Sequence, residues 1–583
     1  MAEAIQSHPD VSGVEVAGTS HKLSLFADDI LLTITKPRIS LPNLLSLLDS
    51  FALFSGLAVN QAKSKAMSIN ICPSDLDSLR SAFPFQWLTS LPYLGIKLVP
   101  KYSQLYQANF PSLFGKLTVM LTSWSTLPFS WFGRVATVRM TYLPKLPVQV
   151  PSHILRIHQR KIMQFIWGTK RPRIKRQVLF ARRINGGLSV PNLQAYYTAA
   201  GIAPLSRLHE KQQMPLWATF DLVDSHPIPL ASLPWLPRAH RPPSIGPCLA
   251  HSLRLWDSVK YSAGLISPHL PLLCFLHNPL FPPGRDNPLQ SAWWTEHGFV
   301  DVHSMLSPTK IISYSLLRSS HDIPLREHYS YLQLRHFLQR LIRSQPTPYT
   351  MTPFESLCRS RPHSPGLISL IYTAIINSKR PPLRPYHLQW EAEFGRQLDP
   401  EDWQAMTVAL SKCSTNVLFQ ENAYKVFYRW YYTPARLASF IPSYSPLCFR
   451  GCSQEGTMAH IWWTCPKVCR LWVRVYALLR NLFDTNLKKD PFEALLWKPI
   501  TELLRPERQL AAHVFTATKL IIARAWKTLI LSFEAVKNCI NDIMVNEKLT
   551  AVLADTHDKF LRVWQPWVAN NHPSRFNPTL LSL

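Results

Sequence analysis

The chain is 583 residues long, 46% hydrophobic and 17% charged, enough for roughly three or four domains with cores of their own. Its net charge of +28 excludes a polycationic partner and calls for a polyanion or an anionic surface. The N-terminus, "MAEAIQSHPD", has no secretory pattern, no run of about 20 uncharged apolar residues occurs, and ten cysteines are sparse for this length, so the expectation is a non-secreted protein of a reducing compartment without a spanning helix.

In chain order, the first signal is "HKLSLFADDILLTITK", residues 21–36. Alternating apolar residues on both sides of Asp28 and Asp29 predict two strands, with the two acids as a tight hairpin tip. One reading makes the pair ordinary turn residues pointing to water. The other uses their mutual repulsion: two carboxylates flanked by apolar strands need a cation, and a two-metal phosphoryl-transfer site needs such carboxylates to hold Mg²⁺. Next, Ser40 is expected to cap a helix with Pro42 in its first turn. Leu44, Leu47, Leu48, Phe51 and Phe54 form its apolar face, and Gly56 ends it. "KAMSIN" and then "LPYLGIKLV" each read as a short strand, giving a helix on an antiparallel sheet, an α+β arrangement.

Between Ser78 and His209 there is no Asp or Glu, while 18 Lys and Arg occur. A solvated structural face would mix signs, so this stretch points to nucleic acid; a membrane surface is the weaker competitor, because the basic residues do not follow one amphipathic helix. Its centre, "RIHQRKIMQFIWGTKRPRIKR", reads as a helix and then a basic loop, and "GGLSVPNLQAYYTAA" as a turn and another helix. Prolines crowd residues 211–298, which are expected to be an extended connection ordered only where it packs. From residue 311 helical periodicity dominates, and Leu510, Val514, Ala517 and Ile521 share one face of a late helix.

Cys448, Cys452, His460 and Cys465 follow the spacing C-x3-C-x7-H-x4-C. Three thiols and an imidazole so close together suit a tetrahedral, closed Zn²⁺ site, with Cys469 as an alternative to Cys465. Trp462, Trp463 and Trp472 nearby are expected in the core, although stacking on bases is open to them.

Taken together, "FADD", "SGLAVNQAKSKAM", "LPYLGI" and "FIWGTKRPRIKRQVLFARRINGGLSVPNLQAYY" resemble the second half of a reverse transcriptase, from the second-open-reading-frame polyprotein of vertebrate LINE-type retrotransposons, which lack long terminal repeats. "KVFYRWYYTPARLASFIPSYSPLCFRGCSQEGTMAHIWWTCP" is similar to the Cys-His segment of the same polyprotein. The resemblance implies RNA-directed DNA polymerisation by two-metal nucleotidyl transfer on an RNA template and DNA primer, in a nuclear and cytoplasmic ribonucleoprotein. It makes Asp28 and Asp29 Mg²⁺ ligands, and Lys63 the lysine after the palm helix that protonates pyrophosphate. Tyr93, Leu94 and Gly95 become the primer grip, and Lys161, Lys170, Arg171, Arg173, Lys175, Arg176, Arg182 and Arg183 nucleic-acid contacts. The Cys-His set becomes an RNA-binding, knuckle-like Zn²⁺ site.

The implied fold is an α+β palm remnant (residues 1–100), then a mostly α-helical thumb with a basic extension (101–210). A proline-rich connection (211–310), a helical region (311–440) and the Cys-His motif with C-terminal helices (441–583) follow. The family's third metal-binding Asp has no counterpart: Asp10 matches the tail of a helix, and Asp221 and Asp224 come after the thumb. The resemblance therefore implies a truncated reverse transcriptase, inactive unless an upstream polyprotein segment completes its site; the alternative is a non-catalytic RNA- or DNA-binding remnant.

Overall fold

The computed structural model describes residues 1–16, 18–26, 29–56, 60, 63–83, 85–145, 150–168, 171–210, 215–280, 292–307, 310–343, 349–379, 383–527 and 530–571. The protein is mostly helical, 61%, with small antiparallel hairpins and a Cys-His cluster. It falls into two compact units, each gathered from three stretches of chain: Met1–Met120, Leu146–Arg156 and Leu193–Ser378 in one, Leu121–Lys145, Ile157–Asn192 and Lys379–Leu583 in the other. Among the described residues no helix is long and apolar enough to cross a membrane.

The first unit opens with short strands. β1 (Val14–Val16) pairs with β2 (Thr19–His21), and β3 (Leu23–Phe26) with β4 (Asp29–Leu32), both antiparallel. β5 (Lys65–Met67) and β6 (Gln86–Leu88) are parallel, joined as parallel strands require by a crossover helix, Pro73–Ala82. β7 (Leu91–Tyr93) and β8 (Ile96–Leu98) are antiparallel. Each of these sheets has two strands.

Three local expectations are corrected. Asp29 opens β4 opposite Phe26, one residue past the place expected of it at the hairpin tip. The helix expected to start after Ser40 runs Pro37–Ser55, because Pro37 takes its first position. Ser40 is instead a buried tie: its hydroxyl accepts from the Ser12 N–H and donates to the Asp10 carbonyl, both at 3.0 Å. Finally, "LPYLGIKLV" is a hairpin rather than one strand, because Leu94 and Gly95 both take positive φ, 47° and 80°, and turn the chain.

The proline-rich stretch also differs from expectation. Residues 230–275 supply Leu233, Trp235, Leu253, Trp256 and Phe275 to a core shared with Ala199, Ile202, Ile371 and Ile375. Prolines here open short helical turns, Pro229 before Leu230–Ser232 and Pro237 before Arg238–His240, rather than keep the chain extended, and the Pro234 carbonyl accepts from the Trp256 indole at 2.6 Å.

In the second unit an aromatic cluster stands at the end of the helix Ser152–Trp167. Trp167 stacks on Trp430 at 5.3 Å, and Trp131 meets both edge-on. The di-glycine turn that follows is gripped by two buried tyrosines of the helix Val417–Phe427 and its end: Tyr424 donates to the Gly187 carbonyl at 2.9 Å and Tyr428 to that of Gly186. A Cβ on Gly187 would lie 1.8 Å from the Ala181 carbonyl oxygen. Gly187→Ala is therefore expected to destabilise this unit by about 3 kcal/mol, the upper part of the overpacking range, read as a drop in thermal midpoint by circular dichroism. The C-terminal helices include Arg505–Arg524, which buries Leu510, Val514, Ala517 and Ile521 as expected.

Candidate metal centre

Residues 446–456 form a closed loop. Leu447 bridges Glu455 in antiparallel fashion, the Cys448 N–H donates to the Gln454 carbonyl at 2.8 Å, and the Gly456 N–H donates to that of Pro446 at 2.8 Å. At the tip Gly451 has a φ of 70° with open space around its Cβ position, so backbone conformation rather than room demands glycine there. The turn aims the Arg450 N–H at the Cys448 sulfur, 3.5 Å away.

The second pair of donors depends on a less common element. His460–Thr464 is a π-helical turn, closed by the Cys465 N–H on the His460 carbonyl at 2.9 Å. In an α-helix residues five apart point about 140° from one another. The wider turn brings residue 465 back over residue 460, so both side chains reach one point. Cys465 then stands at the N-cap position of the helix Pro466–Phe483.

The result is one cluster. The donor atoms of Cys448, Cys452, His460 and Cys465 lie within 4.8 Å of one another. Zn²⁺ bonds of about 2.3 Å to sulfur and 2.0 Å to nitrogen need donor separations of roughly 3.4–3.8 Å, so a small inward movement of each side chain completes a tetrahedron. Three of the four residues are buried and Cys452 is half-buried, the closed arrangement of a structural rather than a catalytic site. His460 Nε2 faces the Cys452 sulfur at 3.1 Å, while Nδ1 lies 3.4 Å from the Thr464 hydroxyl, the outer partner a ligating imidazole needs.

The four groups do not share one electrostatic environment. Burial, followed by the nearby Arg450 charge, holds His460 below the usual imidazole range, which keeps it neutral. Burial pushes the Cys448 thiol up to about 12. Burial also works to raise Cys452, but the Gln454 N–H and the Cys448 and Cys465 thiols hydrogen-bond to its sulfur and bring it below the usual thiol range. The cluster can hold a metal ion such as zinc. Cys469 is outside it. Of the three tryptophans expected in the core, Trp462 and Trp472 are fully buried, with the Trp472 indole donating to the Trp462 carbonyl at 2.9 Å, while Trp463 is half-buried.

The carboxylate expectation fares differently. Asp28 lies outside the described residues, Asp29 is exposed at the start of β4, and among the described residues no metal-binding cluster includes Asp29. Lys63 is exposed in a turn where its N–H donates to the Asn60 carbonyl at 3.1 Å. Tyr93 is half-buried at the end of β7, while Leu94 and Gly95 are exposed. Asp221 is buried and its carboxylate accepts from the Gly246 N–H at 2.7 Å, a structural task.

The basic set divides by burial. Arg171, Lys175, Arg176 and Arg182 are exposed; Lys161 is half-buried on the helix Ser152–Trp167, and Lys170 lies outside the described residues. Arg173 and Arg183 are half-buried. Arg173 sits 3.7 Å from the Tyr432 ring and 4.4 Å from that of Trp430, and donates to the Trp430 carbonyl at 2.8 Å. Arg183 lies over Phe132 at 4.6 Å. In sequence these two are indistinguishable from their neighbours, and nothing in sequence singles out Arg450, because a charged residue between Cys and His ordinarily faces solvent.

No protein-family model matches the chain.

Proposed function

We propose that this chain is the C-terminal part of a LINE-type retrotransposon polyprotein that binds nucleic acid, with the Cys-His knuckle as a structural zinc centre. The observation that carries the reading is the convergence of Cys448, Cys452, His460 and Cys465 on one point, in the order and spacing for which the family resemblance gives a ligand set. The same compact unit carries the exposed Arg171, Lys175, Arg176 and Arg182, inside the stretch of sequence free of acidic residues. Neutralising backbone phosphates is the task such residues do best. The test is fluorescence anisotropy of a labelled single-stranded RNA across salt: affinity is expected to fall steeply as salt rises, and a flat response would defeat the proposal.

A second reading, RNA-directed DNA synthesis, rests on the resemblance around Asp28 and Asp29. In it these carboxylates would hold Mg²⁺, Lys63 would serve the leaving pyrophosphate, and Tyr93, Leu94 and Gly95 would position the primer terminus. A polypeptide supplying a further metal-binding Asp would be needed. In primer extension with Mg²⁺ the chain alone is expected to give no product above an Asp28→Ala control; a clear product would make it a polymerase in its own right.

A further inference from the structure

Arg450 is the anomaly of the metal centre. It lies between two ligands in sequence, yet it is fully buried, one of the largest side chains in the protein with no accessible surface. A guanidinium has five N–H donors and a permanent charge. Here Nη1 donates to the Ile461 carbonyl at 3.0 Å, while Nε and Nη2 have no hydrogen-bond partner. Among the described residues no carboxylate forms an ion pair with it. A buried charge without a counter-charge is strongly destabilising, so something must balance it.

A candidate flanks it in the chain, the cluster itself. The Arg450 backbone N–H points at the Cys448 sulfur, and its guanidinium reaches the carbonyl of the residue after His460. When a divalent ion binds, three Cys–SH groups give up their protons to solvent and His460 binds as the neutral imidazole. The product, one M²⁺ with three thiolates, carries a net charge of −1. A trivalent ion in the same donors would leave 0, and a monovalent ion −2. One buried guanidinium matches the divalent case.

We infer that Arg450 is the counter-charge of a divalent metal–Cys₃His centre, a positioning residue that makes the folded knuckle depend on the metal. This rests on the reading of the cluster as a metal site. Without metal Arg450 is a buried cation with one hydrogen bond for its five donors; with metal its charge is balanced.

The test uses the full chain and Co²⁺, whose absorption reports tetrahedral thiolate ligation, with Zn²⁺ competition for affinity. Arg450→Met, which keeps length and removes charge, is expected to weaken Co²⁺ and Zn²⁺ binding roughly 10- to 100-fold, as loss of an outer-shell partner does. Arg450→Lys is expected to restore most of that affinity. Thermal melts distinguish the role from plain packing: Arg450→Met should melt higher than the native protein when both are metal-free, and lower when both are metal-loaded. A fall in both states, or unchanged affinity in the variant, would overturn the inference while leaving the centre intact. If the native protein gives no Co²⁺ thiolate spectrum, the centre itself is wrong and the inference goes with it.

Discussion

Treating the metal-loaded protein with a strong chelator is expected to lower its thermal midpoint by about 10 °C and release one equivalent of zinc, measured by circular dichroism and elemental analysis. The argument is one of linkage: a metal that binds only the folded knuckle, at about 1,000 times its dissociation constant, stabilises by about 4 kcal/mol. In a unit of this size 1 kcal/mol moves the midpoint by about 2–4 °C. Cys465→Ala is expected to reproduce the loss without chelator, because Cys465 is one of the four residues whose donor atoms converge in the cluster. Acid should act in the same direction. Metal binding displaces protons from the thiols, and burial holds the Cys448 thiol at about 12, so the metal-free protein keeps that proton throughout the neutral range. Lowering pH adds competing protons and favours release; raising it favours binding. A midpoint indifferent to chelator, with no zinc recovered, would remove the metal centre from the protein.

Converting Arg171, Lys175, Arg176 and Arg182 together to alanine is expected to weaken single-stranded RNA binding roughly 100-fold and to reduce the salt slope by about 3, since each phosphate contact on a single strand contributes about 0.7. All four are exposed, so the variant should fold and melt like the native protein. Arg173→Ala provides the contrast. Its guanidinium lies between the Trp430 and Tyr432 rings and bonds the Trp430 carbonyl, so its loss should lower the melting midpoint by disturbing the aromatic cluster. If the fourfold variant binds RNA as the native protein does, these residues are not the phosphate contacts, and the basic stretch must act through other positions.

The two results separate what a linear reading can and cannot weigh. Lys and Arg counts identify an electropositive stretch, but they do not distinguish Arg171 from Arg173, two residues apart. The difference lies in the rings of Trp430 and Tyr432, more than 250 residues downstream, which approach only when the chain folds. Likewise the prolines between residues 211 and 298 suggest an open connection, yet Trp235 and Trp256 pack there against helices from both earlier and later in the chain. Apolar burial outweighed the local preference for extended backbone, as tertiary packing commonly does.

The sequence by itself determined three members of the Cys-His cluster, Cys448, Cys452 and His460, because ligand chemistry is a property of residue type, while the choice of Cys465 over Cys469 came from the structure. It also determined the late helix faces, whose apolar period repeats over several turns, and the acid-free stretch. Only the tertiary structure decided how His460 and Cys465 meet, since a π-turn and an α-turn have the same composition but differ by a fraction of a rotation per residue. Only it decided that Leu94 and Gly95 turn the chain, and that Asp29 belongs to a strand rather than to the tip of its hairpin. It alone buried Arg450, because whether a charge meets water or a counter-charge depends on neighbours that the order of residues does not reveal.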